Sequence, residues 1–427
     1  MHLKALLTFL ILIATHFSWA QTQKNNWYFG KGAAISFDSG SPQVLSNNVL
    51  TQYNRASATA NHPVSGKMLF YTNGFEIRNS AHLQIAQIDS GKSSFDVLIL
   101  NHPKKAYEWY LLTLSGVGGP MGQKDLSLYN ITVTPNSETI SINPVGVVYR
   151  GNLSCLTAVH NCANGAFWVL SFNTVNNAIE AFSLNSDSMA STPVVSPVAQ
   201  NLSAVGDMVS NSDGSYLAVS EYAADFNFAQ VVVLKVDNRC GVLRDYKVFT
   251  RSNGEYAYGL AWSPNNEYLY ATYSVGVSQL VQIDVENETV DLIRQEPYNF
   301  NELQLGPDGK IYIATHTVGI PGNRVDVIKK PNEFGSNCEY EYGALNLGDG
   351  ISSNFHFPNF IQDYTYEECF NEEPEIEIVS SCEGKPFEIE VKDTLGGIGT
   401  YYWQINGVIY FGTRITITGL SVGEYKY

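Results

Sequence analysis

The sequence has few charged residues, and positive charge is the scarcer kind. Asp and Glu number 41 against 25 Lys and Arg, so the formal net charge is −16 at pH 7. No basic patch or Arg-rich run interrupts this acidic balance. A strongly acidic surface repels phosphate backbones and anionic lipid headgroups. We therefore do not expect nucleic acid or a membrane surface as a partner.

Motifs that carry catalytic or cofactor chemistry are missing as well. The chain contains no nucleophile elbow, no HExxH pair, no phosphate-binding glycine loop and no CxxC pair. Its glycines fall at turns, a role that needs no ligand. The sequence therefore predicts no catalytic residue, no metal site and no cofactor, and it favours a protein that is not an enzyme.

No apolar run long enough to cross a bilayer follows the first twenty residues, so we predict no transmembrane segment in the mature chain. Residues 1–20 combine a basic start at His2 and Lys4 with the apolar stretch LLTFLILIA, which is typical of a secretory signal peptide. We expect cleavage between Ala20 and Gln21, which removes Lys4 and takes the formal charge from −16 to −17. The alternative is an N-terminal membrane anchor, for which the run is short.

Six cysteines occur in this chain, and disulfides are stable in exported proteins. Cys155 and Cys162 are near enough in sequence to close a small loop, and they are the candidate disulfide. A zinc site at Cys155, His160 and Cys162 would need a fourth ligand and usually CxxC spacing. Thiols or a disulfide are therefore favoured over a metal. The pairing of the remaining cysteines stays open: Cys240, Cys338, Cys369 and Cys382.

A recurring strand–turn–strand phrase organises the chain. Its clearest copy, Asn301–His316, reads NELQLGPDGKIYIATH, with a tight turn at Pro307-Asp308-Gly309. Weaker copies run from Met208 to Tyr222 and from Leu260 to Tyr273. The turns recur about every fifty residues, a period typical of one four-stranded propeller blade.

The strand after each turn is apolar on both faces, as in Trp168-Val169-Leu170, so it needs cover on both sides. Blades stacked around an axis provide that cover. Six turns indicate six blades, and a seventh is divided between Ser352–Tyr364 and the strands after Asn25. Joining the two ends closes the ring and leaves no exposed sheet edge. The sequence thus predicts an all-β fold, a seven-bladed WD40/YVTN-like β-propeller over residues 21–366, with six or eight blades as alternatives.

The composition and residue pattern of the sequence change after residue 366. An acidic linker, residues 367–373, precedes residues 374–427, in which Glu alternates with Ile or Val. Such alternation is typical of a sandwich strand with one face in water. An Ig-like sandwich needs about 100 residues. We therefore expect residues 374–427 to be a truncated PKD/Ig-like β-sandwich and the sequence to be a fragment.

The ordered phrases NNWYFG, SGKMLFYTNG, SPNNEYLYAT, LGPDGKIYIAT and FPNFIQDY resemble a family of secreted Bacteroidetes proteins. The resemblance extends from Asn25 to Tyr427 and rests on the order in which the phrases occur. It implies a propeller followed by PKD or Ig-like domains, with type IX secretion and, in some members, a gliding-motility association. Two features depart from the family. No C-terminal sorting domain is present, and His356-Phe357-Pro358 replaces the more usual Gly-Leu-Pro.

Three residues are candidates for a site in the propeller channel. Asp207 follows Gly206 at the start of an inner strand, His316 ends a strand, and His356 lies near the closing seam. A channel histidine with carboxylates is the outline of a lactonase or polysaccharide lyase site. Nothing in the sequence brings these residues together, so structural roles are favoured. Four tyrosines at blade ends either line a carbohydrate or peptide surface or pack between blades: Tyr222, Tyr256, Tyr258 and Tyr273.

These observations favour an exported, monomeric, non-enzymatic binding or scaffold protein, secreted or held at the cell surface. Its propeller would present a surface to a protein or a carbohydrate. Two alternatives stay open. One is a channel-based enzyme of the lactonase or polysaccharide lyase type, and the other is a structural component of an envelope or motility machine.

Overall fold

The computed structural model describes residues 24–50, 56–62, 65–88, 93–105, 107–116, 122–134, 139–162, 165–186, 188–202, 205–222, 228–252, 256–275, 277–316 and 322–362. The backbone alone is described for residues 93–94, 228, 252 and 274–275 and for five strands between residues 375 and 417. The predicted leader, its Ala20–Gln21 cleavage point and the linker 367–373 lie outside the described residues.

Seven antiparallel sheets, numbered here as blades 1 to 7, occupy the described residues from 26 to 346. Blade 1 contains β1 (Asn26–Phe29), β2 (Ala33–Ser36) and β3 (Gln43–Leu45). Blade 2 contains β4 (Ala58–Asn61), β5 (Met68–Thr72), β6 (Glu76–Asn79) and β7 (Gln84–Gln87). Blade 3 contains β8 (Ser93–Asn101), β9 (Glu108–Gly116), β10 (Lys124–Val133) and β11 (Ile140–Gly151). Blade 4 contains β12 (Leu153–Asn161), β13 (Ala166–Asn173), β14 (Ala178–Leu184) and β15 (Val194–Pro197).

The remaining blades repeat the same four-stranded plan. Blade 5 contains β16 (Val205–Ser210), β17 (Tyr216–Glu221), β18 (Phe228–Asp237) and β19 (Val242–Ser252). Blade 6 contains β20 (Ala257–Trp262), β21 (Tyr268–Val275), β22 (Val277–Asp284) and β23 (Thr289–Glu296). Blade 7 contains β24 (Asn299–Leu305), β25 (Ile311–His316), β26 (Arg324–Ile328) and β27 (Tyr340–Asn346), with a short 3₁₀ helix at Gly335–Cys338 before β27.

The first strand of each four-stranded blade lies innermost. From blade 2 to blade 7, each of these strands contacts the first strand of the following blade. Glu302 on β24 then bonds to Phe355, so the inner strands surround a central axis. The second strands are buried on both faces, as the apolar runs predict, and all eight residues of β13 are buried. The outer strands alternate instead, and β23 is largely exposed. The prediction of a seven-bladed propeller is confirmed.

The repeated turns all join an inner strand to the second strand of its blade, at one end of the axis. In blade 7, Gly309 adopts a φ of +76°, a conformation that suits a residue without a side chain. Asp308 stabilises this turn, because its Oδ2 accepts hydrogen bonds from Lys310 Nζ at 2.8 Å and from the Tyr312 hydroxyl at 2.9 Å. The carboxylate of Asp308 therefore serves the turn.

Residues 352–362, which we call the closing segment, take the innermost place in blade 1. The segment pairs with that blade through Lys31 N–H and the Ser352 carbonyl, at 2.8 Å. Asn359 N–H donates to the Ser57 carbonyl of blade 2 at 2.7 Å. The predicted division of one blade between the two chain ends is therefore present. The described contact is an isolated bridge where a regular strand was expected.

Aromatic packing joins the closing segment to the first blade. Trp27 on β1 is fully buried. Its ring lies 5.3 Å from that of Phe357 and 5.4 Å from that of Tyr312 on blade 7, the latter edge to face. Each aromatic pair of this kind contributes about 0.5–1.5 kcal/mol beyond its buried area. This cluster holds the two ends of the propeller together.

Five strands are described beyond the propeller. They are β28 (Glu375–Ser380), β29 (Phe387–Lys392), β30 (Tyr402–Ile405), β31 (Val408–Phe411) and β32 (Arg414–Ile417). β29 pairs with both β28 and β32, and β30 pairs with β31, all antiparallel. These strands are consistent with an all-β region, and the PKD/Ig-like sandwich stays a prediction.

The prediction of a disulfide between Cys155 and Cys162 is wrong. Cys155 is a buried thiol that forms no disulfide, whereas Cys162 is disulfide-bonded. Cys155 is the third residue of the extended strand β12, and Cys162 directly follows its last residue. Seven residues in a strand span about 20 Å, whereas a disulfide requires Cα atoms within about 7 Å. Closeness in sequence was therefore misleading here.

Candidate functional site at the mouth of the axis

The mouth is the end of the axis at which the inner strands begin. All three predicted channel residues lie there: Asp207 on β16, His316 at the end of β25 and His356 in the closing segment. The glycine and asparagine turns lie at the opposite end. Antiparallel pairing explains the grouping, because each second strand ends where its inner strand begins.

Asp207 links blade 5 to blade 6. Its side chain is 5% exposed, and its two carboxylate oxygens accept the N–H groups of Met208 at 2.8 Å and Leu260 at 3.0 Å. Leu260 belongs to β20, the next inner strand. Hydrogen bonds from backbone N–H groups to a buried carboxylate are charge-assisted and strong. Asp207 therefore has a structural role.

Asp96 makes the same connection between blades 3 and 4, although no sequence motif marks it. It accepts the N–H of Val97 at 2.8 Å and that of Leu156 on β12 at 2.8 Å. We call the pairs Asp96–Leu156 and Asp207–Leu260 axial ties. Asn359 of the closing segment also donates to Asp96, at 3.2 Å, and to the Leu156 carbonyl, at 2.9 Å. The segment thus reaches across the axis to blades 3 and 4.

Hydroxyl groups on second strands add a further connection between blades. The Ser220 hydroxyl accepts the N–H of Asp207 at 2.8 Å and donates to the Tyr258 carbonyl at 2.6 Å. The inner strands approach closely beside these bonds. A Cβ on Gly259 would stand 2.2 Å from the Asn301 carbonyl oxygen, so only glycine fits there.

His356 connects the closing segment to two blades. Its Nδ1 lies 2.9 Å from Oε2 of Glu302 on β24, and its Nε2 lies 3.1 Å from the Tyr258 hydroxyl on β20. The N–H of Phe357 donates to the same Glu302 oxygen at 3.2 Å. The imidazole and the carboxylate are both more than nine-tenths buried. Glu302, His356 and Tyr258 form a carboxylate–imidazole–phenol chain that we call the relay.

His316 lies beside the relay but is not a member of it. Its ring packs 4.7 Å from that of Phe355, whose other neighbour is His356 at 6.0 Å. Nδ1 of His316 is buried and has no hydrogen-bond partner within the described residues. Burial lowers the pKa of His316, because a buried imidazolium loses hydration. The two histidines therefore flank one phenylalanine.

Three of the four tyrosines meet at the mouth. The ring of Tyr222 lies 4.8 Å from that of Tyr256 and 6.3 Å from that of Tyr258. Tyr222 is 40% exposed, and Tyr256 and Tyr258 are half-buried. Burial, and then the neighbouring Tyr222, raise the pKa of Tyr256. We call these three residues the mouth tyrosines. The fourth, Tyr273, is only 1% exposed and packs under Arg251, so it contributes no surface.

Lys124 is a buried cation near the Asp96–Leu156 tie. Its Nζ donates to the Gly122 carbonyl at 3.2 Å and lies 4.8 Å from the centre of the Phe95 ring. Burial lowers the pKa of Lys124 to about 8. Sequence reasoning did not find this residue, because a single lysine before an alternating strand has no distinguishing pattern.

Metal ligands do not converge in the described residues, which contain no group of three or more His, Cys, Asp or Glu side chains able to hold an ion. The relay supplies only one imidazole and one carboxylate. Its geometry allows a proton to move between Tyr258 and His356, with the imidazole oriented by Glu302.

Within the described part of the chain, no helix has the length and apolar character needed to span a membrane.

Comparison with known proteins gives no family assignment. No protein-family model matches the chain, and no curated protein matches it. The chain is similar to a candidate 6-phosphogluconolactonase from Bacteroides fragilis, with a TM-score of 0.40, 11% identity and coverage of 71% of this chain and 90% of that one. A second candidate 6-phosphogluconolactonase, from Bacteroides uniformis, has a TM-score of 0.43, 14% identity and coverage of 71% and 92%.

A third similar structure is a propeller domain with a different name. The β-propeller domain of Cps50 from Myceliophteria thermophila has a TM-score of 0.43 and 9% identity, covering 69% of this chain and 94% of that domain. Likeness at such identities concerns the propeller fold alone. The role of this chain must therefore be argued from its own residues.

Proposed function

We propose that this chain is an exported binding or scaffold protein whose propeller presents a ligand surface at its mouth. The observation that carries the proposal is the cluster of mouth tyrosines, one of which, Tyr258, contacts His356 of the closing segment. Half-exposed aromatic rings provide a large contact area at a small cost in side-chain entropy. Two carboxylates of the inner strands, Asp96 and Asp207, are already engaged by backbone N–H groups.

The rest of the chain fits delivery to the outside of the cell. Residues 1–20 would act as the signal peptide, cleaved between Ala20 and Gln21. Residues 374–427 would form part of a PKD/Ig-like spacer after the linker 367–373, as in the secreted Bacteroidetes proteins that the sequence resembles. The mature protein would be monomeric and secreted or held at the cell surface.

A binding experiment on cells tests this proposal. Labelled wild-type protein, the double variant Tyr222→Ala/Tyr256→Ala and the control Tyr342→Ala would be incubated with cells of the producing strain. Tyr342 is exposed on the outer strand of blade 7, where its ring contacts Tyr298 and Arg324 and none of the mouth tyrosines. We expect saturable binding by the wild type and the control and strong loss in the double variant. Equal binding by all three proteins, or binding by none, would contradict the proposal.

The relay favours a second candidate function, a channel-based enzyme of the lactonase or polysaccharide lyase type. In that reading Tyr258 would exchange a proton with the substrate, and His356, held by Glu302, would take up or return it. Turnover of lactones and polyuronates would be measured for the wild type and for Tyr258→Phe. Activity that falls at least about a hundredfold in Tyr258→Phe, the scale of acid–base catalysis, would support an enzyme. Wild-type activity at the buffer rate would exclude these reactions.

A further inference from the structure

Two cysteines in different bonding states lie on neighbouring turns at the end of the axis opposite the mouth. Cys162 directly follows β12 of blade 4 and is disulfide-bonded. Cys240 lies in the turn between β18 and β19 of blade 5, where it is exposed and forms no disulfide. The other two thiols identified in the described residues, Cys155 and Cys338, are buried. An exposed thiol beside a disulfide is the arrangement that thiol–disulfide exchange requires.

The two turns are joined through the carbonyl of Asn238, two residues before Cys240. That oxygen accepts the N–H of Cys162 at 2.9 Å and the indole N–H of Trp168 on β13 at 3.0 Å. Gly241 packs on the same indole, because a Cβ at this position would stand 2.7 Å from the ring. A disulfide joins Cα atoms about 4–7 Å apart, a separation comparable to that between Cys240 and Asn238 within one turn. A small shift of the exposed turn therefore suffices to bring the two sulfurs together.

The backbone of the blade 5 turn is well ordered, whereas its thiol is held only by a weak bond. The N–H groups of Cys240 and Gly241 donate to the Asp237 carbonyl at 3.3 Å and 2.8 Å. The Cys240 thiol donates to the Asp237 carboxylate, and this hydrogen bond lowers the pKa of Asp237. A thiol is a weak donor, and water can replace its bond to an exposed carboxylate. The side chain of Cys240 can therefore turn toward Cys162 at little cost.

We propose that Cys162 and Cys240 form a thiol–disulfide exchange site. The thiolate of Cys240 attacks the sulfur of Cys162, a Cys162–Cys240 bond forms, and the bond of Cys162 to its present partner breaks. The proton lost by Cys240 goes to the thiolate that leaves, so no oxidant or reductant is consumed. This site lies at the opposite end of the axis from the mouth tyrosines and does not depend on their role.

Exchange changes what blade 4 is covalently joined to. The sequence contains six cysteines, and three of them form no disulfide: Cys155, Cys240 and Cys338. Cys369 and Cys382, which complete the six, lie outside the described residues. We therefore expect the present bond of Cys162 to lead to the part of the chain that follows the propeller. The exchanged bond would instead join blade 4 to blade 5 and release that part of the chain.

Peptide mapping of the full-length chain under non-reducing conditions tests the exchange. Each protein is folded in a glutathione buffer, quenched with acid and N-ethylmaleimide, digested and analysed by mass spectrometry. The proteins are the wild type, Cys240→Ser, Cys369→Ser, Cys382→Ser and the control Cys338→Ala, which removes a buried thiol. We expect the wild type and the control to give a linked Cys162–Cys240 peptide beside the bond of Cys162 to its present partner. Cys240→Ser should lose the linked peptide, and the variant that lacks the partner should give it as the main form of Cys162.

Two results would overturn the proposal. One is the absence of the Cys162–Cys240 peptide from the wild type and from both partner variants. The other is a linked peptide that occurs only after the partner is removed, because it would show that the two cysteines can meet without exchanging. The wild-type map needs no substitution, so its outcome does not depend on whether the variants fold.

Discussion

Between blades 5 and 6 a buried aspartate reaches the backbone of the next inner strand, whereas at blade 7 the connection runs through a histidine of the closing segment. Asp207 uses both oxygens on backbone N–H groups. Glu302 instead meets the imidazole of His356, which in turn meets the Tyr258 hydroxyl. The first arrangement orders one side chain, and the second orders three.

The difference separates structure from candidate chemistry. An axial tie joins one backbone N–H group to one short aspartate side chain, so the hydrogen bond can be strong. Its carboxylate oxygens are already occupied and are not available to a ligand. The relay consists of side chains only, and its last member belongs to the mouth tyrosines. Ordering three side chains also costs more conformational entropy. We therefore expect the axial ties to stabilise the ring more, and the relay region to be where a ligand is sensed.

The largest expected effect is at the axial tie of Asp207. Asp207→Ala leaves two buried N–H groups without an acceptor and should lower the free energy of unfolding by about 2–5 kcal/mol. Urea denaturation measures the change, with the exposed Asp349→Ala as the control. If Asp207→Ala loses no more free energy of unfolding than Asp349→Ala, the axial tie does not stabilise the ring more than the relay does.

A smaller loss is expected in the relay. Glu302→Gln keeps the shape of the side chain but removes the charge that faces His356 and the N–H of Phe357. The free energy of unfolding should fall by about 1–2 kcal/mol. Urea denaturation of Glu302→Gln, His356→Gln and the double variant gives the coupling between the two residues. A coupling near zero would mean that the relay contact contributes nothing to stability.

Alkaline pH should act on the region around the Asp96–Leu156 tie. The pKa of Lys124 is about 8 in the folded protein against 10.5 for its ordinary value. The unfolded chain therefore binds more protons between these values, and stability should rise with pH across that window. Lys124→Met should reduce this rise, as measured by the difference between its denaturation curves and those of the wild type. An equal rise in both proteins would assign it to other groups.

Acid should lower stability through His316, which packs against Phe355 of the closing segment. This is the smallest of the four expected effects. Burial lowers the pKa of His316 in the folded state, so the unfolded chain binds more protons as pH falls below about 6.5. The contribution of His316 is complete above that pH and is lost as pH falls toward the lower folded value. His316→Phe should lose less stability than the wild type between pH 7 and pH 5. His62 and His82 have lowered pKa values too, so the comparison with the variant is the informative quantity.

The fold was predictable because the turns and the apolar strands repeat. Gly214, Asn266 and Gly309 all mark turns with positive φ, and a period of about fifty residues converts directly into blades. The divided blade was also predictable, because a ring without exposed edges requires one. Its inner member lacked the regular pairing that was expected, a detail that depends on how residues 352–362 cross the axis.

Three residues of the candidate site were predictable from the sequence, but their arrangement was not. Sequence analysis named Asp207, His316 and His356 but could not group them, because residues far apart in the chain meet only through the ring. Glu302, the partner of His356, was missed since it lies inside an ordinary strand. Cys155 and Cys162 show the opposite error, because neighbours in sequence are held apart by an extended strand.

The most direct test is amide hydrogen exchange in the wild type and in Glu302→Gln. The N–H of Leu260 belongs to an axial tie, and that of Phe357 reports on the relay. We predict that Leu260 exchanges only on global unfolding in both proteins. Phe357 should be protected in the wild type and should exchange faster in Glu302→Gln. An unprotected Phe357 in the wild type, or a rate unchanged by the substitution, would contradict a ring closed by a segment that crosses its axis.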